Sequence, residues 1–185
     1  MRSQTYETGL AAAEGKGDLE PVDIVGPARR LHVDQSFDGA VRVLNGHLPA
    51  EEVARLSKTR WAIVTVWRPI QGPVMRDPLA VCDARSVDVE RDLVPVIGRY
   101  FIEASGTYED VVETWGIRFA EGHKWWYYSG ITPDEVLLIK CFDSKTDGKA
   151  RAVPHGSFEL PGQGGPPRES IEVRCLVFWE DQDAV

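Results

Sequence analysis

"RWAIVTVW", residues 60–67, decides how the fold is read. β-branched and aromatic side chains fill it, with no glycine or proline inside, which is the composition of a buried strand. Similar signals lie on both sides: "DPLAVCDARS" (77–86), "WGIRFAE" (115–121), "KWWYYS" (124–129), "EVLLIKCF" (135–142) and "ARAVPHGSFEL" (150–160). The last, "SIEVRCLVFW" (170–179), alternates at its start, with Ile171, Val173 and Cys175 on one face and Glu172 and Arg174 on the other. Turn residues separate these runs at Gly72-Pro73, Gly130, Thr132-Pro133-Asp134 and "GQGGPP" (162–167). One clear helix is expected, "PAEEVARLSKT" (49–59), opened by Pro49 with Glu51 and Glu52 in its first turn. Residues 86–114 carry no clear signal. Seven or eight strands and one clear helix predict a mostly β, two-sheet barrel or sandwich.

Composition narrows the function. The 185 residues suit one domain, with residues 1–20 as a flexible arm and 21–185 as the folded unit. A net charge of −8 argues against nucleic acid as a partner, because phosphate binding calls for a basic face. There is no polybasic segment for an anionic membrane, no apolar run of spanning length, and no secretory leader in the N-terminal stretch. Cys82, Cys141 and Cys175 are odd in number and far apart, so they read as small core residues of a protein in a reducing compartment, the cytoplasm.

The chemistry starts at "RRLHVDQS" (29–36), just before a helix-like stretch. His32 and Asp34 are two apart, so in extended chain an imidazole and a carboxylate point the same way. Alone, such a pair is usually solvated. A third donor has three candidates: His47 in the turn "NGHLP", His123 in "AEGHKWW", and His155 on the penultimate strand. Two histidines and a carboxylate on one side of an ion leave positions open, as in non-heme Fe(II) oxygenases. Arg168 and Ser170 follow His155 by 13 and 15 residues, again two apart, on the last strand. A guanidinium fork beside a hydroxyl suits a distant carboxylate. The order His-x-Asp, His, Arg-x-Ser is what a 2-oxoglutarate-dependent oxygenase needs.

Four stretches, "LHVDQSFDGA", "VWRPIQGPVMRDPLAVCDARS", "HKWWYYSGITPDEVLLIKCFDS" and "PPRESIEVRCLVF", resemble the hydroxylase/desaturase family of fungal and bacterial secondary metabolism, which includes gibberellin desaturase, aspergillic-acid hydroxylase and the small component of the cephalosporin methoxylase. The resemblance runs over about residues 28–178. It implies a double-stranded β-helix (jelly-roll) with one or two flanking helices, Fe(II) as cofactor and 2-oxoglutarate as co-substrate. By position it makes His32, Asp34 and His155 the metal ligands and Arg168 with Ser170 the carboxylate clamp. Such a protein hydroxylates or desaturates a small secondary metabolite. Family members carry a longer segment before the His-x-Asp than the 31 residues here. That raises the alternative of a shortened, non-catalytic or partner-dependent jelly-roll that binds a metabolite, and the expectation of a homodimer. Methyl transfer, a label some relatives carry, finds no Gly-rich strand-turn-helix to hold its donor.

Other residues stay open. Arg68, in "VWRPI", either faces the substrate or an acidic co-substrate or makes a structural salt bridge at the strand end. Lys140 either enters the barrel to meet a substrate carboxylate or snorkels to solvent. Arg174 either joins the clamp or pairs with Glu172 or Asp83. His47 and His123 are expected at the surface or behind the ligands, and one ring of "KWWYY" lines the pocket or packs the core.

Overall fold

The computed structural model describes residues 26–102, 107–162 and 164–184, so the expected 1–20 arm lies outside the described residues. In chain order the elements are β1 (His32–Val33), α1 (Phe37–His47), α2 (Ala50–Leu56), β2 (Thr59–Pro69), β3 (Leu79–Cys82), a short 3-10 turn (Ala84–Ser86), α3 (Val89–Asp92), β4 (Leu93–Ile102), β5 (Thr107–Ile117), β6 (Trp125–Tyr127), β7 (Leu137–Asp143), β8 (His155–Ser157) and β9 (Ser170–Asp183). They form a six-stranded sheet, β4-β5-β1-β8-β3-β6, and a three-stranded sheet, β7-β2-β9. Every pairing is antiparallel.

The mostly β expectation holds. "RWAIVTVW" forms the body of β2, the central strand of the smaller sheet, paired on one side with β7 and on the other with β9. The silent stretch 86–114 is α3 followed by β4 and the start of β5, which pair as a long hairpin. Pro95 and Gly98 read as breakers in the sequence. Pro95 is tolerated because β4 is a sheet edge, where a missing N–H removes no rung on the open side.

The main buried cluster draws on α1 and on the smaller sheet. Ala40 and Leu44 of α1, with Val33, meet Trp61, Ile63 and Trp67 of β2 and Ile139, Cys141 and Phe142 of β7 in one buried cluster. Ser36 caps α1, its Oγ accepting from Gly39 N at 2.9 Å, and its own N–H donates to Glu113 O of β5 at 2.8 Å. Helix and sheet touch closely there: a Cβ on Gly39 would lie 2.1 Å from Glu113 O. His47 is the last residue of α1 rather than a turn residue, with Nδ1 at 2.8 Å from Val43 O.

At the far end of β7, Asp143 is buried and receives Arg60 at 2.8 and 3.2 Å and Lys140 at 2.9 Å. Lys140 also reaches Ala150 O at 3.2 Å. Burial alone would raise the Asp143 pKa. The hydrogen bonds from Arg60 and Lys140 outweigh it and hold the carboxyl at about 2.

Two outcomes follow. Gly39→Ala should destabilise the domain by about 1–3 kcal/mol, seen as a lower urea midpoint at unchanged slope. Asp143, depressed from an ordinary 3.8, contributes stability that is present above about pH 4 and lost between about pH 4 and pH 2. Asp143→Asn should therefore lower the melting temperature at pH 7 and flatten its fall over that acid window.

Candidate metal centre

β1 is flanked in the large sheet by β5 and β8, and His32 is the direct rung partner of His155. Side chains of rung partners share a face, and the two rings stand 4.7 Å apart, centre to centre. Asp34, two residues along from His32, falls on the same side. Its Oδ1 lies 3.5 Å from His32 Nε2 and 3.9 Å from His155 Nε2. Those separations let one ion bridge all three at about 2.1 Å per bond. Among the described residues this is the one cluster of metal-ligating groups, with all three atoms within 4.8 Å of one another.

The donor chemistry fits a divalent cation. His32 Nδ1 donates to Arg30 O at 2.7 Å and His155 Nδ1 to Val153 O at 3.0 Å. Each ring thereby turns an Nε2 lone pair toward the carboxylate, the second-shell pattern of metal-bound histidine. Two imidazoles and a carboxylate facing one another form a donor set that could hold a divalent cation. Burial pushes the His155 pKa down, favouring the neutral ligand form. Burial opposes protonation of His32 too, but the hydrogen bond to Asp34 and that to Arg30 O outweigh it and raise its pKa.

Asp34 is buried, and its second oxygen is fully engaged. Oδ2 accepts from Thr65 Oγ1 at 3.0 Å, from Cys141 Sγ at 3.2 Å and from Arg174 Nε at 3.0 Å. Arg174 also reaches Oδ1 at 3.1 Å and Glu172 at 2.7 Å. Burial would raise the Asp34 pKa. The hydrogen bonds with His32 and Arg174 overcome it and keep the group ionised far below the usual carboxylate range. Burial, then the Asp34 charge, push the Cys141 thiol up, so it keeps its proton as a donor.

The remaining sequence candidates fall elsewhere. Arg168, two residues before β9, and Ser170, the first residue of β9, are both buried. The Arg168 guanidinium lies 5.4 Å from the centre of the Trp67 ring and donates to Asp77 O. Burial lowers its pKa to about 10, with the charge of Asp77 opposing the fall. Lys140 is held by Asp143. Arg68 is exposed and alternates away from Thr65 and Trp67 on β2. His123 is not at the surface: its Nε2 meets buried Asp92 at 2.9 Å, with both side chains under 5% exposed. Asp83 takes Arg85, so of the two carboxylates expected for Arg174 only Glu172 pairs with it. The contact of Arg174 with Asp34 escaped the sequence. Its signal was the position six residues beyond Arg168 on the same strand face.

A cavity of about 510 Å³ is walled by Phe37, Leu93, Arg151 and Pro154 and touches none of the triad. One of about 360 Å³ is lined by Arg174 together with Gln35, Val43 and His47.

The profile of the family described as "Oxidoreductase/YMDC permease-like domain" matches residues 8–178. Among the described residues, no helix is long and apolar enough to cross a membrane. The hydroxylase/desaturase CTB9 of Cercospora beticola is 47% identical over 99% of this chain and 57% of its own length. The hydroxylase/desaturase asaB of Aspergillus flavus is 45% identical over 87% of this chain and 75% of its own length. The solved structure of the iron and alpha-ketoglutarate-dependent endoperoxidase NvfI superposes with a TM-score of 0.76 at 34% identity, covering 88% of this chain and 58% of that one. The architecture is thus the jelly-roll of that oxygenase, and this chain spans little more than half the length of the first of these relatives. The chain belongs to the oxidoreductase/YMDC permease-like family, alongside the hydroxylase/desaturases that it resembles across nearly its whole length.

Proposed function

We propose that this protein is an Fe(II)- and 2-oxoglutarate-dependent oxygenase that hydroxylates or desaturates a small secondary metabolite. The observation that carries the reading is the convergence of His32 Nε2, His155 Nε2 and Asp34 Oδ1, three ligand-type atoms facing one point. His32, Asp34 and His155 would hold the ion and leave its other positions open. Iron held there would, with 2-oxoglutarate and dioxygen, supply the oxidising chemistry that removes hydrogen from an unactivated C–H, one oxygen atom of O2 ending in the succinate that forms as the keto acid loses CO2 and the other in the hydroxylated product or in water.

The protein's own part is orientation and exclusion of water. Arg168 and Ser170 would take the far carboxylate of 2-oxoglutarate. In support, Arg168 is a buried guanidinium flanked by Trp67, with a hydroxyl two residues on along the strand. The substrate would lie over the face of the large sheet that carries the histidines. Strand register places a transverse row there: Gly116, His32, His155, Val81 and Trp126. Trp126 is 62% exposed and stands two strands from His155, about 10 Å. Its ring offers an apolar wall for a metabolite. Arg68 and Lys140 have no such support, since one lies on the outer face of β2 and the other is engaged by Asp143. We also propose a homodimer. Its support is the exposed apolar outer face of the smaller sheet, where Leu138, Val66 and Val173 lie in one row.

Anaerobic addition of Fe(II), then 2-oxoglutarate, should produce a visible metal-to-ligand charge-transfer band, and His32→Ala should abolish it in a folded protein. Failure of the wild type to give that band overturns the oxygenase reading. It would favour the metabolite-binding alternative. Arg168→Lys keeps the charge and loses the planar fork. The 2-oxoglutarate concentration for half-maximal band should rise roughly ten- to a hundredfold, about 1.4–2.8 kcal/mol, with iron affinity unchanged. Trp126→Ala should leave the band intact and weaken only substrate-triggered oxygen uptake.

A further inference from the structure

We propose that Arg174 is a positioning residue that keeps Asp34 a one-oxygen metal ligand. The inference rests on the metal reading above and concerns a group that does not itself belong to the ligand set. Arg174 approaches the carboxylate from β9 with two points of contact, Nε to Oδ2 at 3.0 Å and a terminal nitrogen to Oδ1 at 3.1 Å. A guanidinium fork of this kind fixes the plane of a carboxylate as well as its place. Thr65 Oγ1 and Cys141 Sγ complete the set on Oδ2, at 3.0 and 3.2 Å. With three donors on it, Oδ2 has no lone pair left for an ion. Oδ1 faces both histidine nitrogens, which would share the ion with it, and from Arg174 it has a single contact to give up. The terminal nitrogen that would leave Oδ1 already holds Glu172 at 2.7 Å. The guanidinium can therefore yield Oδ1 to a cation without losing its grip on Oδ2.

Two roles for Arg174 predict opposite signs. If it only balances the charge of buried Asp34, its removal takes a positive group from beside an incoming dication, and metal affinity rises. If it positions Asp34, its removal frees the carboxylate to rotate, and affinity falls. Second-shell partners of metal ligands are typically worth about ten- to a hundredfold in metal affinity.

The test is Co(II) titration of the purified full chain, read by intrinsic tryptophan quenching for affinity and by the visible ligand-field spectrum for the coordination, with no turnover involved. Arg174→Met should weaken Co(II) binding about ten- to a hundredfold and change the ligand-field bands. Arg174→Lys, which keeps charge without the fork, should fall between. Wild-type binding with Arg174→Met unchanged or tighter overturns the proposal and leaves the metal site standing. Absence of Co(II) binding by the wild type, where His32→Ala gives the same trace, overturns the site and the proposal together. If Arg174→Met does not fold, Thr65→Val decides. It removes one neutral donor from the same oxygen and should weaken Co(II) about two- to tenfold, and unchanged affinity overturns the proposal.

Discussion

His32 sits opposite His155 on a two-residue strand, and that single rung brings the two imidazoles to one side of the large sheet. Side chains alternate along a strand, so a slip of one residue would send His155 to the other face and dismantle the site. Several contacts hold the register. Val33 is fully buried in the main cluster, so β1 cannot shift without exposing it. Ser157 N and Ser157 Oγ both donate to Ala28 O, at 2.8 and 3.1 Å, fixing the chain that enters β1. Gly156 lets that chain come close: a Cβ there would meet Leu31 Cδ2 at 2.9 Å and two backbone oxygens at 3.4 Å.

The two sheets divide the work. The large sheet contributes the histidines. The smaller sheet contributes a donor to Asp34 from each of its strands: Thr65 from β2, Cys141 from β7 and Arg174 from β9. Burial of an ionised carboxylate costs several kcal/mol unless it is paired and hydrogen-bonded. That requirement ties the sheets together at one residue. It also gives Cys141 a physical role beyond filling volume, since a protonated thiol donates where a methyl group could not.

Much of this was legible in the sequence because it depends on short-range order. The i, i+2 spacings of His32-Val33-Asp34 and of Arg168-x-Ser170 are periodicity arguments that need no tertiary knowledge, whereas the choice of His155 among three histidines rests on the resemblance to the hydroxylase/desaturases. The β strands declared themselves through β-branched and aromatic runs. What escaped depended on partners distant in sequence. The β4–β5 hairpin was hidden because Pro95 and Gly98 are breakers in isolation and harmless on an edge. Lys140 had two readings, a barrel-facing one and the favoured solvent-facing one, until Asp143 and the Ala150 carbonyl took it. His123 reads as a surface turn residue, and only the fold brings Asp92 to it from the end of α3. Arg174 has Glu172 two residues away on its own strand face, and the sequence offered it Glu172, Asp83 or the clamp but not Asp34, which only the packing of the two sheets brings to it.

The polarity of β9 reverses what stability alone would select. Its start is amphipathic, and packing alone would turn the apolar face inward. Instead Ile171 and Val173 are 42% and 57% exposed, while Ser170, Glu172 and Arg174 occupy the other face. Full burial of such a side chain is worth about 1.5–3 kcal/mol, so leaving each of them about half in water forgoes part of a substantial contribution. The inversion is explained by Asp34. An apolar inner face on β9 would leave a buried carboxylate short of the donor that spans both its oxygens, and Arg168 and Ser170 would lose their place at the strand's start. Sequences break local rules where a site demands it. Here the broken rule marks the strand on which the ligand geometry depends.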